Sequence, residues 1–169
     1  MTAPIGFSHC RTRRSFIAGL IGLPLAACAS MEPKKTPLRF LVQADQLINP
    51  DEHGNPFPIV LRIYELKQSS QFSQEAFFDL LDTDANKLGS DLVAKREIEL
   101  KPGDTQKFER DTPMDTRYIG VIAGFRNIEN AQWRAVAEIK PDKGNQIVIK
   151  VTAFSVNIEV TPDKTLGFF

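Results

Sequence analysis

The sequence predicts a mainly β protein, a two-sheet antiparallel β-sandwich with a short added helical segment. Three observations predict it. Short runs alternate apolar and polar residues with period two. Clusters of Pro, Gly, Asn and Asp separate those runs. One stretch alone changes to helical spacing.

The first run, "LRFLVQA", sets Leu38, Phe40, Val42 and Ala44 on one face. "IVLRIYEL" sets Ile59, Leu61 and Ile63 against Val60, Arg62 and Tyr64. "KREIEL" turns Ile98 and Leu100 inward and Glu97 and Glu99 outward. "TQKFER" is a shorter, weaker candidate. "RYIGVIAGF" aligns Ile119, Val121, Ala123 and Phe125, and "WRAVAEI" and "QIVIKV" follow. In "FSVNIEV", Phe154, Val156, Ile158 and Val160 are expected inside, with Ser155, Asn157 and Glu159 outside. About eight short strands with one packed face each suit two stacked sheets. "KPGDT" and "PDKGN" are turns, because Pro presets φ and Gly accepts positive φ. The exception is "FSQEAFFDLLDTDANKLGSDLV", with Phe77, Leu80 and Leu81 at helical spacing. Ser73 suits an N-cap and Glu75 suits the first turn. A helix over residues 74–81 is expected, with a further turn near Leu88 and an apolar face packed on the sandwich. Phe77 and Phe78 read as core.

The N-terminus carries Arg11, Arg13 and Arg14, then an apolar run over residues 16–27. Crossing a bilayer as a helix takes roughly 20 apolar residues, so this shorter run reads as the core of a secretory signal. It ends in Leu25-Ala26-Ala27-Cys28, which resembles the lipobox of bacterial lipoproteins, where an acylated cysteine becomes the new N-terminus. "TRRSFI" also resembles a twin-arginine export signal, although two arginines equally make an ordinary basic start. The expected organisation is a signal peptide over residues 1–27, a lipidated polar linker over residues 28–37 and a sandwich domain over residues 38–169. The non-aspartate Ala29 after the cysteine, by resemblance to lipoproteins of Gram-negative bacteria, implies the outer membrane.

Charge and cysteine usage bound the function. The whole chain has 21 basic and 21 acidic side chains. The leader holds three arginines and no acid, leaving 18 basic against 21 acidic, a net of −3. With no concentrated basic segment, no nucleic-acid partner is expected. Cys10 leaves with the leader and Cys28 takes the lipid, so no disulfide is expected and packing must hold the domain.

The stretch "INPDEHGNPFP" carries residue types used in catalysis and metal binding: Asn49, Asp51, Glu52, His53 and Asn55. A zinc site needs three or four ligands converging from the fold. His53 is the only histidine after the leader, and neighbours along an extended chain point apart. No phosphate loop, G-x-S-x-G or HExxH occurs. No catalytic residue, metal or cofactor is therefore expected. Proline and glycine instead make this a stiffened polar loop, longer than a hairpin needs. Such loops carry binding, or simply connect strands.

The ordered set "LINPDEHGNPFPIVLRIYELK", "FSQEAFFDLL", "LKPGDT" and "RYIGVIAGFRNIENAQWRAV" resembles the TssJ lipoproteins of type VI secretion systems, and the lipobox agrees. The resemblance implies a transthyretin-like sandwich, tethered to the outer membrane through acyl chains and facing the periplasm. It implies a non-enzymatic adaptor whose first inter-strand loop docks the periplasmic domain of a TssM-like inner-membrane protein. No small-molecule substrate is expected. On this chain the docking loop maps to residues 47–58, with Asn49, Pro50, Asp51, Glu52, His53, Gly54, Asn55, Pro56 and Phe57 as candidate contacts. His53 and Phe57 are the side chains expected to bury most area. "IENAQ" is a second loop within reach of a partner. Arg62, Arg126, Trp133 and Arg134 also match the family pattern and read as structural, with Arg stems packed along sheet faces or over Trp133. Two rival classes are a solute-binding or transport-associated envelope lipoprotein, which needs an apolar pocket between the sheets, and an envelope enzyme, which needs a nucleophile and base.

Overall fold

The computed structural model describes residues 34–163. The expected leader, Cys28 as the expected lipidation site, and the apolar tail "TLGFF" lie outside the described residues. The strands are β1 (Lys35–Ala44), β2 (Ile59–Leu66), β3 (Leu92–Leu100), β4 (Thr105–Pro113), β5 (Tyr118–Ala123), β6 (Arg134–Glu138), β7 (Asn145–Val151) and β8 (Val156–Pro162). Lys35 opens β1, so residues 35–37, read as the end of the linker, pair instead with residues 111–113 of β4. The weak candidate "TQKFER" is the core of the nine-residue β4.

Two four-stranded sheets result, ordered β4–β1–β7–β8 and β3–β2–β5–β6. Every pair is antiparallel except β1 with β7, which run parallel from Leu38↔Asn145 to Ala44↔Val151. The chain changes sheet between β6 and β7, so β7 reaches β1 by a crossover, and β8 then pairs with β7 as an antiparallel hairpin.

The alternating residues meet between the sheets. Leu38, Phe40, Val42, Ile59, Leu61, Ile63, Val121, Ile147 and Ile149 are all buried in one cluster. Each such side chain contributes roughly 1.5–3 kcal/mol when removed from water. Glu65 continues the inward face of β2 and is also buried. Its carboxylate meets Arg110 Nε at 2.5 Å and accepts the Thr112 hydroxyl at 2.6 Å, joining the two sheets.

The other face of the second sheet is roofed by three short helices, α1 (Ser70–Gln74), α2 (Phe77–Asp82) and α3 (Asp84–Leu88). Phe72, Leu80 and Leu88 pack there on Tyr64, Leu66 and Ile122. Gly120 lets Phe72 approach, since a Cβ at that position would meet the ring at 2.7 Å. The single helix expected over residues 74–81 is corrected. Ser73 lies inside α1, its N–H already bonded to the Ser69 carbonyl, and caps nothing. The chain breaks at Glu75, whose ψ is 149°. Arg134 holds that break by donating to the carbonyls of Phe72 at 3.0 Å and Glu75 at 2.8 Å, so a side chain satisfies groups a longer helix would have used.

A charged network pins the roof. Tyr64 donates to the Leu80 carbonyl at 3.0 Å, and Lys95 contacts both oxygens of the buried Asp84 at 2.7 and 2.9 Å. Arg62 pairs with Glu97 at 2.6 Å and donates to the Leu81 carbonyl.

Candidate docking surface

The registers bring the ends of β1, β5 and β7 and the starts of β2, β6 and β8 to one end of the sandwich. Besides the turn over residues 101–104 between β3 and β4, three connections gather there: residues 45–58 between β1 and β2, 124–133 between β5 and β6, and 152–155 between β7 and β8.

The first of these is braced by its own side chains. Ile48 is fully buried and anchors the loop in the core. Past it the chain turns back, with the Phe57 N–H donating to the Ile48 carbonyl at 3.1 Å. Asp51 Oδ1 accepts the N–H groups of His53 at 2.9 Å and Asn55 at 2.8 Å, while Oδ2 accepts the Asn55 side-chain amide at 3.0 Å. The Asn55 amide, first through its side chain and then its backbone, holds the Asp51 carboxyl below its ordinary range. Gly54 sits at φ +83°, where a side chain would be strained, and permits this tight turn. Asp51 is thus a brace, with its acceptors committed within the loop. Among the described residues, no group of three or more His, Cys, Asp or Glu is arranged to hold a metal.

Asn49 has a different role from its neighbours. It is buried, with φ +45°, a conformation that Asn tolerates better than most residues. Its side-chain amide donates to the Pro58 carbonyl at 2.9 Å, and its oxygen accepts the Arg126 N–H at 2.7 Å. One side chain therefore closes the first loop and ties it to the second. The Arg126 guanidinium lies over the Phe57 ring at 4.8 Å, so this arginine packs on the loop and not along a sheet face. Trp133 and Arg134 follow the structural reading: Arg134 stacks on Trp133 at 4.6 Å, and Phe77 meets the same indole edge-on at 5.3 Å.

The third connection joins through the backbone. Gln132 donates its N–H to the Phe154 carbonyl at 2.8 Å, and Val156 donates to the Gln132 carbonyl at 2.9 Å. Phe154, expected inside, is 47% exposed. It belongs to a turn before β8, braced by Thr152 and Ser155, whose hydroxyls lie 2.8 Å apart. Alternation begins only at Val156, the first residue of β8, paired with Val151. The three loops enclose a groove of ≈ 670 Å³, lined by residues 50–53, 126–129 and Phe154. Of the candidate contacts, Pro50, Asp51, Glu52 and His53 line it. Phe57 stands under Arg126 beside it, while Asn55 and Asn49 build the frame. Ile128 and Glu129 of "IENAQ" form part of the same groove, so the two loops singled out in the sequence are one surface. Phe154 was missed because a turn residue next to a strand obeys no periodicity.

Residues 36–154 match the family model described as type VI secretion lipoprotein, VasD, EvfM, TssJ, VC_A0113. No curated protein matches the chain. Among solved structures, the type VI lipoprotein TssJ1 from Pseudomonas aeruginosa is similar at 31% identity and TM-score 0.73, covering 77% of this chain and 99% of that one. Lip from Serratia marcescens, a membrane-bound component of the type VI secretion system, is similar at 25% identity and TM-score 0.65, covering 76% and 97%. A chain in a structure described as the TssM C-terminal domain from EAEC is similar at 28% identity and TM-score 0.60, covering 72% and 99%. With the family model spanning most of the described sandwich, the chain belongs to the TssJ family of type VI secretion lipoproteins.

Proposed function

We propose that this chain is a non-enzymatic adaptor of the type VI secretion membrane complex. Acyl chains on Cys28 fix it in the outer membrane. The loop over residues 47–58 docks the periplasmic domain of a TssM-like inner-membrane protein. The observation that carries this reading is the bracing of an exposed loop by Asp51 and Asn49, since a loop held in one shape loses little freedom on binding. A relative resolved in a structure described as a TssM domain supports the choice of partner. Attachment at two points raises the effective concentration for assembly, so moderate loop affinity suffices.

Calorimetry tests the docking. The full-length protein in detergent is titrated with the TssM-like periplasmic domain from the same organism, beside a variant whose residues 51–55 are replaced by Gly and Ser. Binding lost in the variant, with its melting temperature kept, is the expected result; equal binding moves the interface elsewhere. For the anchor, Cys28→Ser is expected to leave the outer-membrane fraction and to abolish secretion. A Cys28→Ser protein that still fractionates with the outer membrane contradicts the anchor.

A further inference from the structure

We infer that the docking surface is the whole three-loop groove, and that it takes a partner segment presenting a lysine or arginine beside an apolar side chain. This rests on the docking reading above and adds two things to it: a second wall, and the chemistry of the occupant.

The second wall follows from the bonds between loops. Asn49 ties residues 45–58 to Arg126, and Gln132 ties residues 124–133 to Phe154. A partner touching the first loop therefore meets a surface already continuous with the other two. Phe154 stands on that surface with nearly half its area exposed, from a turn held by Thr152 and Ser155. A large aromatic on a braced turn gains contact area at little cost in freedom, which is the usual character of an interface anchor.

The charge of the groove selects the occupant. Arg126 and Asp51 both line the groove, one cationic and one anionic. Those two charges offset one another. Glu52 and Glu129, one on each of the first two loops, are exposed and line the same groove. The remaining charge is therefore negative, beside the apolar surface of Phe154 and the half-buried Ile128. A cationic head between the two carboxylates, with an apolar neighbour on Phe154, satisfies both features. An anionic group would meet Arg126 but oppose both glutamates.

The test titrates the TssM-like periplasmic domain into the full-length protein in detergent, at low and high salt. Three variants are compared with the parent: the Gly/Ser replacement of residues 51–55, Phe154→Ser, and Glu52→Gln with Glu129→Gln. All altered positions are exposed or half-exposed, and unchanged melting temperatures confirm the fold. The expected result is binding abolished by the loop replacement and weakened roughly tenfold or more by Phe154→Ser. The double glutamine variant is expected to bind more weakly and to lose most of the salt dependence. Binding lost by the loop replacement but unchanged in the other two variants overturns the three-loop groove and leaves loop docking standing. Tighter binding by the double glutamine variant overturns the cationic occupant, as does a partner that binds with no salt dependence. Parent-like binding by the loop replacement overturns both readings together.

Discussion

The backbone N–H of Arg126 donates to the side-chain oxygen of Asn49 at 2.7 Å, across 77 residues of sequence. The other end of the same amide closes the first loop on Pro58. Asn49 is buried, so neither bond is exchanged freely with water. This single contact makes one surface of two loops that belong to different strand pairs.

Asn49→Ala is therefore expected to leave the Arg126 N–H and the Pro58 carbonyl without partners, costing about 1–3 kcal/mol. It also forces a Cβ-bearing residue less tolerant than Asn into φ +45°. Asn49→Gly removes the bonds but not the backbone freedom, and should lose less. Urea unfolding of the two variants checks the order. Hydrogen exchange should show the Arg126 amide losing protection in both.

Glu65 and Arg110 form the second long-range tie, at the opposite end of the sandwich. Arg110→Ala leaves the buried Glu65 carboxylate without its cation, retaining the bond from the Thr112 hydroxyl at 2.6 Å. The arginine side chain is 39% exposed, so solvent screens part of the pair. A loss of about 1–3 kcal/mol is expected, below the value for a fully buried pair. Replacing both residues, Glu65→Leu with Arg110→Met, should recover most of it. Melting temperatures of the single and double variants decide the matter.

The helical roof should be pH-sensitive at both extremes. Burial raises the Asp84 carboxyl, but the Lys95 ammonium and the Ala85 N–H outweigh it and hold the group below its ordinary 3.8. A depressed carboxyl stabilises the fold above its unfolded value, and that contribution is lost as pH falls through the folded value. Burial, with the Asp84 charge beside it, pushes Tyr64 up to about 12. A raised group stabilises below its unfolded value near 10, and that contribution is lost as pH climbs towards 12. Melting temperature should thus decline below about pH 4 and above about pH 10. Lys95→Met should flatten the acid limb and Tyr64→Phe the alkaline one.

Gly120→Ala sets a Cβ at 2.7 Å from the Phe72 ring. The ring lies in the interior of the roof and has little room to retreat, so overpacking is expected to cost about 1–3 kcal/mol. Limited proteolysis should then cut residues 68–91 faster than in the parent, while the intersheet core stays intact.

Strands were legible where one face packs and the other is wet. Leu38 to Ala44 and Ile59 to Ile63 alternate because the sandwich demands it. Partner strands were not legible: the parallel β1–β7 pair arises from a change of sheet that no local pattern encodes. The helical stretch was visible, but its break at Glu75 depends on Arg134, 59 residues away. The candidate loop was visible from Asn49-Pro50, Gly54 and Pro56. Its union with Arg126 and Phe154 was not, because hydrogen bonds between distant loops leave no periodic trace.

The most direct test of the docking claim is photo-cross-linking in intact cells, with a photoreactive residue placed at His53 in one strain and at Gln146 in another. Both positions are exposed, but His53 lines the groove and Gln146 lies near the far end of β7. A cross-link to the TssM-like protein is expected from position 53 and none from position 146. A cross-link from position 146 with none from position 53 would place the partner on the first sheet and contradict loop docking.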